Sequence, residues 1–379
     1  MKLKFTFLNL FLGCVSFLII NTQFTSNVKG EELLKVELNN EIKKGKFLIG
    51  LKQYLGGEND SFSKKKNIKF ITDKGFLNLI SSNGIKHKSK ESYISWVDIP
   101  IKNPKTIERI VFGPFASYES AKKQAEKLKD KGFKTTVAYP KNWEVWIPFE
   151  DDLPEFELKN KISRKIKDSQ ITPFLRSEYS VMKLEGPIYI YAQEEIKING
   201  VNFGKNFYLL KDLYGTWTLV QKIEFDDYLA GVLPYEIGPN SPLEALKAQA
   251  VIARTWGIFN SDRFNMDKYH LCVTTQCQVY KPPKITNKKV QNAIDATSNL
   301  ILTYENKPIT AFYHGSNGGV SATAGESWQI QDYSYFNSVI DGSKSLNKIF
   351  KLPIKNESDL NNFLDFDKEQ FYGLSLIHI

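Results

Sequence analysis

Between Phe225 and Tyr280 the chain gathers the residue types that acid–base chemistry on a polar substrate needs. Asp226, Asp227 and Glu236 are carboxylates, Lys247 and Arg254 are cations, and His270, Cys272 and Cys277 add nitrogen and sulfur. A carboxylic acid with a raised pKa can protonate the oxygen of a leaving group, and the carboxylate left behind can take a proton back. Hydrolysis of a glycosidic bond normally asks for a second carboxylate at a fixed separation, whereas an intramolecular displacement does not. Pro234, Tyr235 and Ile237 flank Glu236 and are expected to desolvate it. Taken alone, Glu236 reads as readily as a surface glutamate. His270, Cys272 and Cys277 fit either a disulfide with a bystander histidine or a partial metal site. Ser-His-Asp catalysis is not legible.

These side chains need elements to hold them. Ser241 and Glu244 form a capping box with Pro242 at the first helical position, which predicts a helix from Pro242 to about Phe259. Leu246, Ala250, Ala253 and Gly257 would be its packed face, and Lys247 and Arg254, two turns apart, would share another. Phe225–Glu236 is read as extended, so that Asp226 or Asp227 faces solvent. Strand patterns precede it at 188–192, 207–210 and 216–220, with Asn199-Gly200 as a turn.

Asp227-Tyr228-Leu-x-Gly231-Val232, Glu236 and Pro242-x-Glu-Ala-Leu-Lys247-Ala-Gln249-Ala-x-x-Ala-Arg254-Thr255 resemble the SpoIID/LytB domain. So do His270-x-Cys272-x-Thr-Thr-x-Cys277-Gln278-Val-Tyr280 and Ala311-Phe-Tyr-His314-x-Ser316-x-Gly318-Gly319. The resemblance runs from about residue 177 to the end. It implies an extracytoplasmic α+β domain, with mostly antiparallel sheets around a central helix, acting on peptidoglycan. Some members are lytic transglycosylases of denuded glycan strands, and others enhance a cell-wall amidase. By resemblance Glu236 is the catalytic acid/base, with Lys247, Gln249, Arg254, Tyr280, His314 and Ser316 toward substrate. Some members bind zinc in the cysteine segment. Here Gln276 stands where the family often has histidine, so a disulfide or reduced pair is expected ahead of a zinc site at His270, Cys272 and Cys277, and no cofactor is expected.

Upstream, residues 92–150 read as a small separate unit. Glu108–Phe112 is a strand ended by Gly113-Pro114, Ser117 caps a helix whose Ala121, Ala125 and Leu128 share a face, Gly132 stops it, and Phe133–Tyr139 is a further strand. This β-α-β pattern is similar to a SPOR-like module, the small domain that binds glycan strands stripped of peptides. A generic packing unit is the alternative. Residues 31–91 read as a β-rich segment, 151–176 as a charged, proline-containing linker, and 177–379 as the SpoIID/LytB-like domain.

The bulk numbers agree with export. The chain has 379 residues, 42% of them hydrophobic, enough for two or three packed cores, and a net charge of +9. A basic surface favours polyanions. Residues 1–30 carry Lys2, Lys4 and the apolar run Phe5–Ile20, a signal peptide or short anchor, read ahead of a lipoprotein site at Cys14. Export makes nucleic acid an unexpected partner; glycan strands and a cell-wall amidase are the expected ones. Past 371 the chain stops without a strand or capped helix, so a truncated C-terminus is expected.

Overall fold

Apolar residues at every second position drive several segments of the chain into half-buried strands. In Asn67–Thr72, Ile68, Phe70 and Thr72 are buried while Asn67, Lys69 and Ile71 are partly exposed. The computed structural model describes residues 4–7, 37–57, 67–149, 161–177, 180–282, 287–315, 321–328, 333–336, 338 and 356–358. The signal or anchor segment outside 4–7, and the tail beyond 358, lie outside the described residues. Among the described residues no helix is long and apolar enough to cross a membrane. Contacts divide the chain into two compact units, residues 3–311 and residues 312–379 with 1–2.

The larger unit opens with β1 (Lys4–Phe7), helix α1 (Leu38–Lys43), β2 (Lys46–Leu55), β3 (Asn67–Thr72), β4 (Leu77–Ser81), β5 (Lys86–Ser89) and the long β6 (Glu91–Phe115). Helix α2 (Tyr118–Asp130) is followed by β7 (Thr136–Ala138), β8 (Trp143–Pro148), β9 (Lys161–Arg176) and β10 (Val181–Lys183). Then come β11 (Ile188–Tyr191), β12 (Ile196–Ile198), β13 (Val201–Asn202), β14 (Asn206–Lys211) and β15 (Trp217–Glu224). The C-terminal part of the unit holds α3 (Phe225–Glu236), α4 (Leu243–Phe259), β16 (Leu271–Cys272), α5 (Lys288–Ala296), β17 (Leu300–Tyr304) and β18 (Lys307–Pro308). In the smaller unit α6 (Ala324–Trp328) is the described helix.

One sheet has the order β16-β2-β15-β14-β11-β4-β5, antiparallel throughout except where β16 joins β2. A second runs β10-β9-β6-β3-β12-β13, with β8 on β6 and β7 on β8. A small third sheet joins β1, β17 and β18. With helices beside mostly antiparallel sheets, the fold is α+β, as the sequence implies.

The β-α-β pattern of residues 108–139 forms. Ser117 Oγ accepts from Ser120 N at 3.2 Å, Ala121, Ala125 and Leu128 are buried, and Gly132 takes the left-handed φ of +92° that ends the helix. The unit is not set apart, however. Its Ile110, Ala121, Leu128, Trp143 and Val145 share one core with Leu48, Tyr208, Val220 and Phe264. Nor is 151–176 a loop over its second half. Lys161–Arg176 pairs with β6 from Val111↔Lys161 to Tyr93↔Arg176. Pro173 does not break it, because β9 lies near the sheet edge, where a missing N–H is tolerated. Asn199 and Gly200, at φ +49° and +86°, make the tight turn between β12 and β13.

Candidate functional site

Phe225–Glu236 is a helix, not the extended stretch expected. Phe225, Tyr228, Leu229, Val232 and Leu233 recur at three- and four-residue steps and are all buried, a helical period that outweighs Gly231 and Pro234. Gly231 has a specific reason. A Cβ there would meet the Tyr280 ring at 2.4 Å and the Lys281 carbonyl at 2.7 Å. The glycine lets the chain at 278–281 lie against the helix, where Lys281 N donates to Gly231 O at 3.1 Å.

That contact positions Glu236. At the last turn of α3, its Oε1 accepts from Val279 N at 3.0 Å. Glu236 is partly exposed, and Tyr235 beside it is 42% exposed. Pro234 and Ile237 are only partly buried, so the expected apolar pocket around the carboxyl is partial. The segment is anchored from below. Tyr280 is buried, stacks on Tyr228 at 5.3 Å and donates to Gln221 Oε1 at 3.2 Å. Gln278 accepts from Tyr228 Oη at 3.2 Å and donates to Ala253 O at 3.3 Å. Tyr280 therefore carries the shelf under Glu236 and does not face a substrate.

Asp226 and Asp227 sit near the start of the same helix. At 1.5 Å per residue they lie about 15 and about 13 Å from Glu236 along the axis. Two-carboxylate glycosidases hold their pair at about 5–9.5 Å. Asp226 is also engaged, accepting from Arg254 Nη2 at 2.8 Å and from Ser298 Oγ at 2.8 Å. Asp227 is on the surface; its carboxyl is pushed up by partial burial, then by the charges of Glu224 and Asp226.

The second helix runs Leu243–Phe259, close to its expected limits, and its Leu246, Ala250, Ala253 and Gly257 are buried as expected. The expected cap is absent. Ser241 Oγ donates back to Ile237 O at 2.5 Å, and this closes the α3–α4 turn instead. Arg254 is 1% exposed. Its Nη1 donates to Thr297 O at 2.8 Å and Leu300 O at 3.0 Å, while Nε and Nη2 hold Asp226. It ties α4 to α3 and to the turn before β17, with its guanidinium directed inward. Lys247, two turns back, pairs with Glu244 at 2.8 Å on the half-exposed face. The two cations thus do not line one groove. Gln249 is buried, and among the described residues its Nε2 has no hydrogen-bond partner. His314 is exposed and belongs to the smaller unit; Ser316, Gly318 and Gly319 lie outside the described residues.

Cys272 and Cys277 form a disulfide. His270 is buried, accepts from Leu48 N at its Nδ1 (2.8 Å) and meets Leu38 O at its Nε2 (3.1 Å). Accepting at Nδ1 makes it a neutral ring with the proton on Nε2, and burial pushes its pKa down to about 4. With both nitrogens engaged and both sulfurs joined, this set cannot serve as a metal site in this form, and among the described residues no other metal-binding cluster occurs. Gln276, where the expected ligand is missing, accepts from Trp143 Nε1 at 2.7 Å. Next to it Arg263 pairs with Glu119 and donates to Gln276 O at 3.0 Å, while Lys122 pairs with Asp262 at 2.8 Å.

Sequence reasoning did not single out this junction, nor Asp267. Asp267 is buried, accepts from Leu213 N at 3.0 Å, and is pushed up to about 7 by burial and by Asp212. No local pattern marks a carboxylate that only tertiary packing buries.

Residues 214–304 match the family model described as SpoIID, stage II sporulation protein. An uncharacterized protein of Brachyspira hyodysenteriae is 32% identical over 152 residues, 39% of this chain and 40% of that protein. The amidase enhancer of Bacillus subtilis is 39% identical over 100 residues, 26% of this chain and 13% of the enhancer. The stage II sporulation protein D of Bacillus amyloliquefaciens is 34% identical over 124 residues, 29% of this chain and 36% of that protein. The chain spans less than half the length of these curated relatives. The stretch that carries Glu236, Gln249 and Arg254 thus lies within the residues that match the SpoIID family model.

Proposed function

We propose that this is an exported cell-wall protein that cleaves denuded peptidoglycan strands as a lytic transglycosylase, with Glu236 as acid and base. The observation that carries the reading is the geometry of Glu236. It is the carboxylate at the solvent end of α3, oriented by Val279 N, with Asp226 and Asp227 more than one glycosidase spacing away. A carboxylate with neither Asp226 nor Asp227 at glycosidase spacing suits transglycosylation. Protonated Glu236 gives its proton to the glycosidic oxygen as the C1–O bond breaks. The carboxylate then takes the proton of the muramyl C6 hydroxyl, whose oxygen closes on C1. The products are a free hydroxyl end and a 1,6-anhydro end, with no water consumed and the proton returned to Glu236.

Digestion of denuded glycan strands followed by mass spectrometry tests this. Anhydro-muramyl ends are expected from the wild type and none from Glu236→Gln. Equal product from both would refute the assignment.

The similarity to an amidase enhancer favours a second reading: a wall-binding protein, exported or anchored, that raises the turnover of a cell-wall amidase without cutting glycan. The β-α-β unit at 108–139, read as SPOR-like, and the net charge of +9 support wall binding in either case. Increased turnover of an added amidase, together with no anhydro product, would select this reading over the enzyme.

A further inference from the structure

Strand β6 pairs with β3 up to Ser95 and with β8 from Arg109. Between them, among the described residues, its partner is β9 alone, so this stretch is a two-stranded ribbon. Residues directly opposite one another in an antiparallel ladder share a face, and alternate pairs share the same one. The pairs Lys105↔Lys167, Ile107↔Lys165 and Arg109↔Ser163 therefore put four cations on one face, with Ile107 among them. Lys105 and Lys165 are exposed, and 38% of Ile107 is open. Lys211 of β14 stands near enough to feel Lys167: its ammonium is held below the usual lysine range by partial burial and then by that charge.

Folding alone gives no reason for this cluster. Like charges directly opposite in a sheet, as at Lys105 and Lys167, are destabilising. Among the described residues no carboxylate pairs with Lys105, Lys165 or Lys167. The neighbouring carboxylates are engaged or distant. Glu144 accepts from Trp146 Nε1 at 2.7 Å, with Arg109 over the same ring, and Asp212 is buried against Thr216. Asp98 is opposite Ile171, four residues or about 13 Å along β9 from Lys167. The other face of the ribbon differs, for there Arg164 pairs with Glu108 at 2.6 Å. An apolar side chain ringed by cations suits the boundary between lipid headgroups and acyl chains, where ammonium groups meet phosphate while the hydrocarbon leaves water. A soluble polyanion would engage the lysines but gain nothing from Ile107. We infer that this face of the β6–β9 ribbon docks on a bilayer surface that carries anionic phospholipid. The inference stands apart from the reading of Glu236.

Vesicle co-sedimentation of the full chain tests it, with phosphatidylcholine vesicles against mixed phosphatidylcholine–phosphatidylglycerol vesicles. The readout is the ratio of the two affinities, which cancels charge-independent insertion by the apolar run at residues 5–20. The wild type is expected to prefer the anionic vesicles. In Lys105→Gln/Lys167→Gln the preference should fall about 25-fold, at about fivefold for each lysine near the surface. The charge-matched control Lys86→Gln/Lys88→Gln, on β5, should keep it within about twofold of wild type. No preference in the wild type, a preference that survives the ribbon variant, or an equal loss in the control would overturn the inference. Ile107→Ser should weaken binding to anionic vesicles about fivefold and leave binding to soluble poly(glycerol phosphate) unchanged. Tighter binding to that polymer than to the vesicles, at equal phosphate, would overturn the assignment to lipid.

Discussion

Arg254 provides a decisive perturbation, because resemblance assigns it to substrate and the geometry assigns it to the core. Arg254→Met keeps most of the aliphatic stem and removes the guanidinium. Thr297 O and Leu300 O then lose their donor, at a cost of about 1–3 kcal/mol each if left unsatisfied. Asp226 loses its cation, and breaking a buried pair typically costs about 3–5 kcal/mol. These contributions overlap. The Asp226 side chain is 35% exposed and keeps Ser298, so water and the hydroxyl recover part of the loss. About 3 kcal/mol is the expected net cost, a large share of a typical stability of about 5–15 kcal/mol. In urea the midpoint should fall by about 1 M for a slope near 3 kcal/mol/M. Asp226→Asn should cost less alone, and the double variant should cost less than the sum of the two. Folded Arg254→Met, assayed in the cold, should retain glycan affinity within about twofold of wild type. An unchanged urea midpoint with lost glycan binding would refute the reasoning and return the guanidinium to the substrate.

Two buried groups should oppose each other in the pH dependence of stability. His270 falls from 6.5 to about 4 on folding, so it contributes stability above pH 6.5 that is lost as pH drops toward 4. Asp267 rises from 3.8 to about 7, so its contribution is present at low pH and lost as pH rises toward 7. Each is worth at most about 3–4 kcal/mol. The difference in urea midpoint between Asp267→Asn and wild type should therefore grow from pH 4 to 7, and a pH-independent difference would count against it. Gly231→Ala should cost about 1–3 kcal/mol by overpacking against Tyr280 and should lower anhydro product by shifting Val279, measured by thermal melting and digestion together. Reduction of Cys272–Cys277 removes a short loop constraint worth about 2 kcal/mol in the chain-entropy picture, read as a drop in melting temperature with alkylation of both sulfurs.

Local chemistry made much of the architecture readable. The Ser117 cap, the Gly132 stop and the Asn199-Gly200 turn each depend on neighbours within a few residues, and each formed as expected. The α4 limits were legible as well, although the capping box that suggested its start does not form. The α3 helix was misread as extended, although Phe225, Tyr228 and Val232 carried the helical period. Charge at 161–170 hid β9, whose pairing comes from β6 some seventy residues earlier in the chain. Around Glu236, the backbone contacts that hold its carboxylate were not legible. Val279, Lys281 and Gly231 act through backbone contacts across the fold, and a motif records side-chain types only. The same limit explains Arg254: spacing gave its helix face but not which side the rest of the chain would cover.

The bonds from Glu119 to Arg263, Lys122 to Asp262 and Trp143 to Gln276 have a dynamic consequence. They join α2 and β8 to the turn after α4 and to the disulfide loop, across a shared aromatic core. A module on a flexible tether would open by itself and exchange its amide hydrogens early. Here the slowest amides of α2 and those of β2 and β15 should exchange together, in one cooperative opening, so the orientation of the β-α-β unit toward the helix bearing Glu236 is set once at folding and not renegotiated at each encounter with a strand.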